Sequence, residues 1–390
     1  MPSSISTTTG LSTEQRRPLL GPGPQASPTP EKHDEPTCRA RVTTTAGVVV
    51  VPLVGVKTVT LWIGSSRETL SGWRGVLGRI RRVGTAQQTS RQHLVSQVLL
   101  KEFTMPEPKG GSRQLLPFDL HNPGRVHKRM PTSRCGWVEN FVAVDSPSVE
   151  ALWGDVERRV PAALAAVRAG APFADPLHVE VLRDLVVLHY VRSFHYRDVH
   201  TDSIERARTR LIAKVITQYP EQLRLEALRE TGLYLSGPAA LGAFAERLIE
   251  RSTVMRDRES GKLFRTSIED TFHKMRDLAS TRRLEVVTPE TGQFLIGDNP
   301  ALTLCVKESR TIYGMAFGDA QTLILPIGPK HLLSLGTEDV TLTVPQTFVD
   351  RLNAVQVHAA HRYVYLHPES GLEPFVERAA QRRPAGDRTT

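Results

Sequence analysis

The spacing of apolar positions changes character along the chain, and each change predicts an element. In QHLVSQVLLKEFT at 92 to 104, Leu94, Val98, Leu99 and Phe103 recur at intervals of four, one and four. That is the spacing of one helical face, so a short helix or turn is predicted, and order begins near Gln92. LLPFDL at 115 to 120 and WVENFVAV at 137 to 144 read as strands. A helix follows: Ser146 stands at the cap, Pro147 at the first helical position and Glu150 in the electropositive first turn, and Pro161 ends or kinks it.

The middle is helical by the same criterion. Within 176 to 200, Leu177, Val181, Leu185 and Leu188 are spaced by four, four and three, with Leu182 and Val186 on the adjoining row. Helices are also predicted over 203 to 218, 237 to 255 and 262 to 281, the second with Ser236 as a cap. After Arg283 the period becomes that of strands. RLEVVTPETGQFLIGDNPALTLCV gives two runs joined by PETG, a hairpin signal. TLILPIGPKHLLSLG gives two strands around Gly328 and Pro329, VPQTFVDRLNAVQVHAAHR a late helix, and YVYLH a closing strand. Helices in one block and strands in another predict a single α+β domain over 91–370, its helical middle packed on a mostly antiparallel C-terminal sheet.

The flanks differ. Seven of the 27 prolines fall within the first 36 residues, and the Ser, Thr, Pro and Gly content up to about residue 45 predicts disorder. The apolar stretch 46 to 64 approaches the length of a membrane span, but Pro52, Lys57, Thr58 and Thr60 interrupt it. Alternation at Val59, Leu61 and Ile63 fits an isolated strand better, so no transmembrane segment is expected. Residues 72 to 90 are basic, but Gly72, Gly75, Gly78 and Gly84 weaken a helix there. Arg-rich, Lys-poor usage suggests a high-GC coding sequence in which 1–90 is upstream sequence and Val83 the true start. The extension is therefore expected to be disordered or non-essential, and 371–390 a flexible tail.

Charge changes the picture less than its total of +9 implies. The flanks carry most of it, and residues 91 to 370 hold 35 basic against 33 acidic side chains. This balance does not support a broad nucleic-acid-binding face, although net charge says nothing about a local basic patch. Arg outnumbers Lys about four to one, so an anion site would use guanidinium forks. Cys38, Cys135 and Cys305 have no framework or zinc spacing, and the N-terminus has no apolar signal core, which together point to a reducing cytoplasm. No P-loop, dinucleotide glycine motif, nucleophile elbow or HExxH is present, which disfavours kinases, P-loop ATPases, Rossmann oxidoreductases and α/β-hydrolases.

Four stretches in order carry a resemblance. QHLVSQVLLKEFT, GQFLIGDNPALTL, LILPIGPKHLLSL and RLNAVQVHAAHRYVYLHP are similar to the opening, the Ser-Asp-Asn-Pro strand end, the Pro-Leu-Ser-Pro strand and the closing helix and strand of the bacterial family DUF4238, over about 92 to 368. The chain departs from that pattern at Leu94, where the family tends to carry Tyr, and at Ser96, where it tends to carry Pro. The resemblance implies a bacterial intracellular protein of mixed fold and no established reaction.

Candidate chemistry rests on few residues. His93 titrates near neutral pH and suits a general base or a ligand, or else a helix cap or a core hydrogen bond. Asp298 and Asn299 end a strand before Pro300, where they either supply a carboxylate at a strand end or fix a turn. If His93 and Asp298 meet, they form an acid-base pair. Arg192, sharing a helical side with His189 and Tyr196, serves as an anion clamp or pairs with Asp184 or Asp198, while Gln92 and Asn299 are the other substrate-binding candidates. A metal site would need His195, Asp198, His200 and Asp202 to converge, and His358 with His361 has no diagnostic spacing, so no metal ligand is assigned. Glu150, Glu157 and Arg158 read as a solvated face, whereas Asn353 and Gln356 lie in an apolar run and are expected to bridge helix to sheet.

The reading is a hydrolase of a phosphorylated or nucleic-acid substrate, with a non-catalytic binding or regulatory protein as the alternative. Cofactor and partner remain unassigned. Deleting residues 1–82 is expected to leave a soluble protein with a cooperative thermal transition, and an insoluble product would place 46–64 inside the fold.

Overall fold

The computed structural model describes residues 48–53, 56–62, 91–106, 111–142, 146–307 and 310–383, with the backbone alone for 48–62, Ser146 and Arg310. Within the extension, strands β1 (Val48–Leu53) and β2 (Val56–Trp62) pair into a two-stranded sheet, where the alternation at Val59 and Leu61 predicts an isolated strand. The other expectations for that extension fall outside the described residues.

From Arg91 the chain forms β3 (Arg91–His93), α1 (Gln97–Glu102), β4 (Gln114–Asp119), β5 (Met130–Pro131) and β6 (Trp137–Glu139). Ser96, not His93, caps α1, its side chain accepting the Leu99 N–H. The helical block comprises α2 (Ser146–Glu157), α3 (Val160–Arg168), α4 (Pro176–Val191), α5 (Phe194–Gln218), α6 (Pro220–Thr231), α7 (Pro238–Glu250), α8 (Thr253–Glu259) and α9 (Lys262–Ser280). Prolines open α3, α4, α6 and α7, where a missing N–H costs nothing, so Pro161 starts a helix rather than kinking one.

Helix α4 is the axis of the block. Asp175 caps it, and Val181 through Val191 are buried almost without interruption between α2, α3, α9 and the sheet, while Leu177 in the first turn stays exposed. The chain breaks at Arg192, and Ser193 caps α5 by accepting the Tyr196 N–H. His189, Arg192 and Tyr196 therefore do not share one helix face, contrary to expectation. The buried Asp184 of α4 is held by Arg276 at 2.8 Å and Arg159 at 3.2 Å.

The C-terminal block adds β7 (Arg283–Pro289), β8 (Ile296–Gly297), β9 (Leu302–Lys307), β10 (Arg310–Tyr313), β11 (Thr322–Gly328), β12 (His331–Gly336), β13 (Val340–Val344), α10 (Gln346–Ala359), β14 (Tyr363–Leu366) and α11 (Glu373–Gln381). One sheet runs β10-β9-β11-β12-β7-β13, antiparallel except for the parallel pair β7 and β13. A second runs β5-β4-β14-β8, and β3 with β6 makes a short ribbon. The whole is the α+β arrangement expected.

Two expectations are corrected here. PETG does not make a hairpin, because β7 pairs with β12 and β13. The residues after the turn find their partners on α10 instead: Asn353 accepts the Leu295 N–H at 3.0 Å and donates to the Gln293 carbonyl at 2.9 Å. One turn on, Gln356 accepts the Gly297 N–H at 3.0 Å and donates to the Pro300 carbonyl at 2.9 Å. These two amides thus bridge helix to sheet, as their place in an apolar run predicted. The second correction is the tail. Residues 373 to 381 form α11, whose Val376, Ala379 and Ala380, at helical spacing, pack with Leu116, Phe118 and Val364.

Asp298 closes this region. Its carboxylate accepts the backbone N–H groups of His361 at 2.6 Å, Arg362 at 2.8 Å and Tyr363 at 2.9 Å, fixing the start of β14. Asp298→Ala strands three part-buried donors and is expected to lower stability by about 3 kcal/mol, read by urea unfolding. Unchanged unfolding would return the residue to a functional role.

Candidate functional site

Strand β3 sets the site. Alternation sends Gln92 inward and leaves Arg91 and His93 on the opposite, partly exposed face. Gln92 accepts the Val142 N–H at 2.7 Å and donates to Glu150 at 3.2 Å, so its amide is spent inside the protein. His93 lies opposite Trp137 in the ribbon. The Gln97 amide nitrogen donates to the Thr132 carbonyl at 2.8 Å and to His93 Nδ1 at 3.0 Å, so Nδ1 is the acceptor and Nε2 carries the proton. Burial, and then the nearby Arg192, pull the His93 pKa down.

Arg192 is 3% exposed, stacks 4.4 Å over the Trp153 ring and pairs with Glu157 at 2.6 Å. Burial lowers its pKa while Glu157 opposes the shift. Its guanidinium is matched within the protein, by Glu157 rather than Asp184 or Asp198. Glu150 and Glu157 are accordingly not part of a solvated face, whereas Asp155 of α2 pairs at the surface with Arg158 just beyond the helix. Asn299 accepts the His195 N–H at 3.4 Å and donates to the Ala359 carbonyl at 2.7 Å, tying α5 to α10.

The structure brings His93 and Arg192 near one another but does not pair His93 with Asp298. An acid-base pair needs about 2.6–3.2 Å between heavy atoms. Among the described residues no hydrogen bond or ion pair joins the two, and every hydrogen bond to the Asp298 carboxylate comes from backbone. Burial pushes the Asp298 pKa up against the pull of those three N–H donors. Among the described residues there is also no group of three His, Cys, Asp or Glu side chains that could hold a metal ion. His200 packs against Phe264, at 5.3 Å between ring centres, and His361 stacks on Phe194 at 4.4 Å.

A cavity of about 610 Å³ lies on the His93 side of the ribbon. Its construction follows from strand alternation. Leu116, Phe118, Val364 and Leu366 point from β4 and β14 into the core under α11, so Pro117, Asp119, Tyr363 and Tyr365 face the other way and form one wall. Arg91 and Trp137 of the ribbon form another, with Arg125, Lys128 and Arg134 from the segment between β4 and β6. The Arg91 guanidinium lies 4.4 Å over the Trp137 ring. Asp119, the one carboxylate of the wall, accepts from Arg362 at 2.9 and 3.2 Å, from Asn122 and from the His121 N–H, and these donors hold its pKa down against burial.

Gly136 joins the parts. Its φ of +68° and the 2.9 Å that would separate an added Cβ from Leu100 exclude other residues. Its carbonyl accepts from Leu94 at 2.7 Å, and its N–H donates to the Tyr365 hydroxyl at 2.9 Å. Cys135 beside it is buried, its thiol pushed up to about 12 by desolvation. None of the pocket's cations was singled out in advance. The available signal was local: Leu120 to Val138 contains Arg125, Lys128, Arg129 and Arg134 and no acid, a run hidden when charge is summed over the domain.

Fold and site define an α+β protein with an arginine-rich pocket at the edge of its smaller sheet. The chain belongs to the family described as protein of unknown function (DUF4238), whose model matches residues 91–370. No curated protein and no solved structure matches it. Among the described residues no helix is long and apolar enough to cross a membrane.

Behind the site His189 is fully buried, its Nδ1 donating to the Leu185 carbonyl at 2.9 Å and its Nε2 accepting the Ser96 N–H at 3.2 Å. This requires neutral imidazole, and burial holds the pKa at about 3, below the ordinary 6.5. Protons therefore bind the unfolded chain first. The stability tied to neutral His189 is whole above pH 6.5 and is lost as pH falls toward about 3, with a slope approaching about 1.4 kcal/mol per pH unit. His189→Gln is expected to be less stable at pH 7.5 and to show a flatter acid limb in denaturant titrations; an identical limb would refute the assignment.

Proposed function

We propose that this protein binds a phosphorylated ligand in the 610 Å³ pocket and does not hydrolyse it. The observation that carries this reading is a charge imbalance. Arg91, Arg125, Lys128 and Arg134 surround a concave space, and among the described residues none of them pairs with a carboxylate, while Asp119 is already matched by Arg362. Converging cations repel one another, and a multiply charged anion removes that repulsion while accepting charge-assisted hydrogen bonds. The volume falls within the roughly 300–1,000 Å³ of small-molecule sites.

Hydrolysis finds less support. Cys135 is too buried to form a thiolate, Asp119 is saturated, His93 Nδ1 is engaged by Gln97, and Asp298 serves the backbone. Buried free thiols at Cys135 and Cys305 accord with a reducing intracellular setting.

Calorimetric titration with pyrophosphate tests the proposal. Binding is expected, weakening steeply with added salt and by tenfold or more in the Lys128→Ala, Arg134→Ala double variant. Absence of binding, or equal affinity in a variant that melts like the parent, would refute it. Release of orthophosphate that this double variant loses would restore the hydrolase.

A further inference from the structure

We infer that the ligand is a mononucleotide, its planar base held at Trp137 and Tyr363 and its phosphate among Arg125, Lys128 and Arg134; this rests on the phosphate-binding reading. Three observations carry it. The cavity, at about 610 Å³, holds far more than a phosphate ion, so most of its surface must meet something else. That surface is aromatic: Trp137 on the ribbon and Tyr363 and Tyr365 on β14, the two tyrosine rings nearly parallel at 20°. Aromatic faces flanked by guanidinium groups are the platform on which flat heterocycles stack, because every base has a π-face and the guanidinium adds a cation–π contact. The Arg91 guanidinium carbon lies 4.4 Å over the Trp137 ring, so Arg91 must move aside for a base on that face, and it can then cover the base from its far side or reach the phosphate.

The third observation is the Tyr365 hydroxyl. The side chain is 3% exposed and lines the cavity, and its oxygen accepts the Gly136 N–H at 2.9 Å. Burial keeps the phenol protonated, and no acceptor for its own proton is found among the described residues. A buried donor at a cavity wall costs stability unless a partner takes its hydrogen bond, and a ligand oxygen or ring nitrogen does so. The near balance of charge over 91 to 370 argues for a single nucleotide rather than a strand tracked across a surface.

The test uses the full chain and three probes in calorimetry: ribose 5-phosphate, adenosine monophosphate and a short oligothymidylate. Adenosine monophosphate is expected to bind at least tenfold more tightly than ribose 5-phosphate. Trp137→Ala is expected to erase that difference and Trp137→Phe to keep most of it, each checked by thermal melting. Equal affinity of the two small probes in the parent protein overturns the base-binding inference and leaves phosphate binding standing. If neither small probe binds and pyrophosphate fails as well, both readings fall. An oligothymidylate that binds far more tightly than the nucleotide overturns the mononucleotide assignment in favour of single-stranded nucleic acid.

Discussion

One buried carboxylate organises the C-terminal half. Asp298 gathers the N–H groups of three successive residues, His361 to Tyr363, at the point where the chain leaves α10 and enters β14. A carboxylate taken out of water is tolerated only when its lone pairs are filled, and here backbone fills them. The same clasp sets the register in which Tyr363 faces Asp119 and Tyr365 faces Pro117. A slip of one residue would turn both tyrosines into the core and Val364 and Leu366 into the pocket. Asn299, next in sequence, ties α5 and α10 to the same spot. The motif that looked like chemistry is the mould in which the pocket wall is cast.

The N-terminal side is fixed by a second, smaller joint. Gly136 links the turn before α1 to β14 through its carbonyl and its N–H, while Gln97 ties His93 to the Thr132 carbonyl. Ribbon and sheet are thereby held by hydrogen bonds at the cavity's base, and its cations come from the segment between β4 and β6 and from the strand edge. The floor is thus fixed by hydrogen bonds, whereas the Arg and Lys heads above it sit on long side chains with several rotatable bonds.

Much of this was legible in the sequence, for physical reasons that can be named. Strong periodicity gave α4, α10, the β11 and β12 hairpin and β14, and the apolar run around Asn353 and Gln356 announced two amides that had to find partners indoors. The α6 helix was missed because Leu225 and Leu228 point to solvent and blur its apolar face. The break at Arg192 was hidden because Ser193, a cap, sits between two stretches that both suit a helix. His93 lies on the same partly exposed face of β3 as the cavity-lining Arg91 but outside the lining itself, and pattern reading favours lone histidines and carboxylates over a cation run without acids. Which residues meet across the pocket depends on β14 lying beside β4, a pairing that joins positions over two hundred residues apart.

The placement of β7 carries a consequence for how the protein is made. Its first residues are crossed by the link from β12 to β13, where Asp339 accepts the Leu284 N–H at 2.7 Å and pairs with Arg283 at 3.0 Å. Both neighbours of β7 come from chain that is synthesised about fifty residues later, Val287 pairing with Leu332 and Glu285 with Val340. As the nascent polypeptide leaves the ribosome, RLEVVTP emerges with both edges open and must wait unpaired until Val344 has followed it out. Until then its unpaired edges are open to other chains, and translation through 290 to 344 sets how long that exposure lasts.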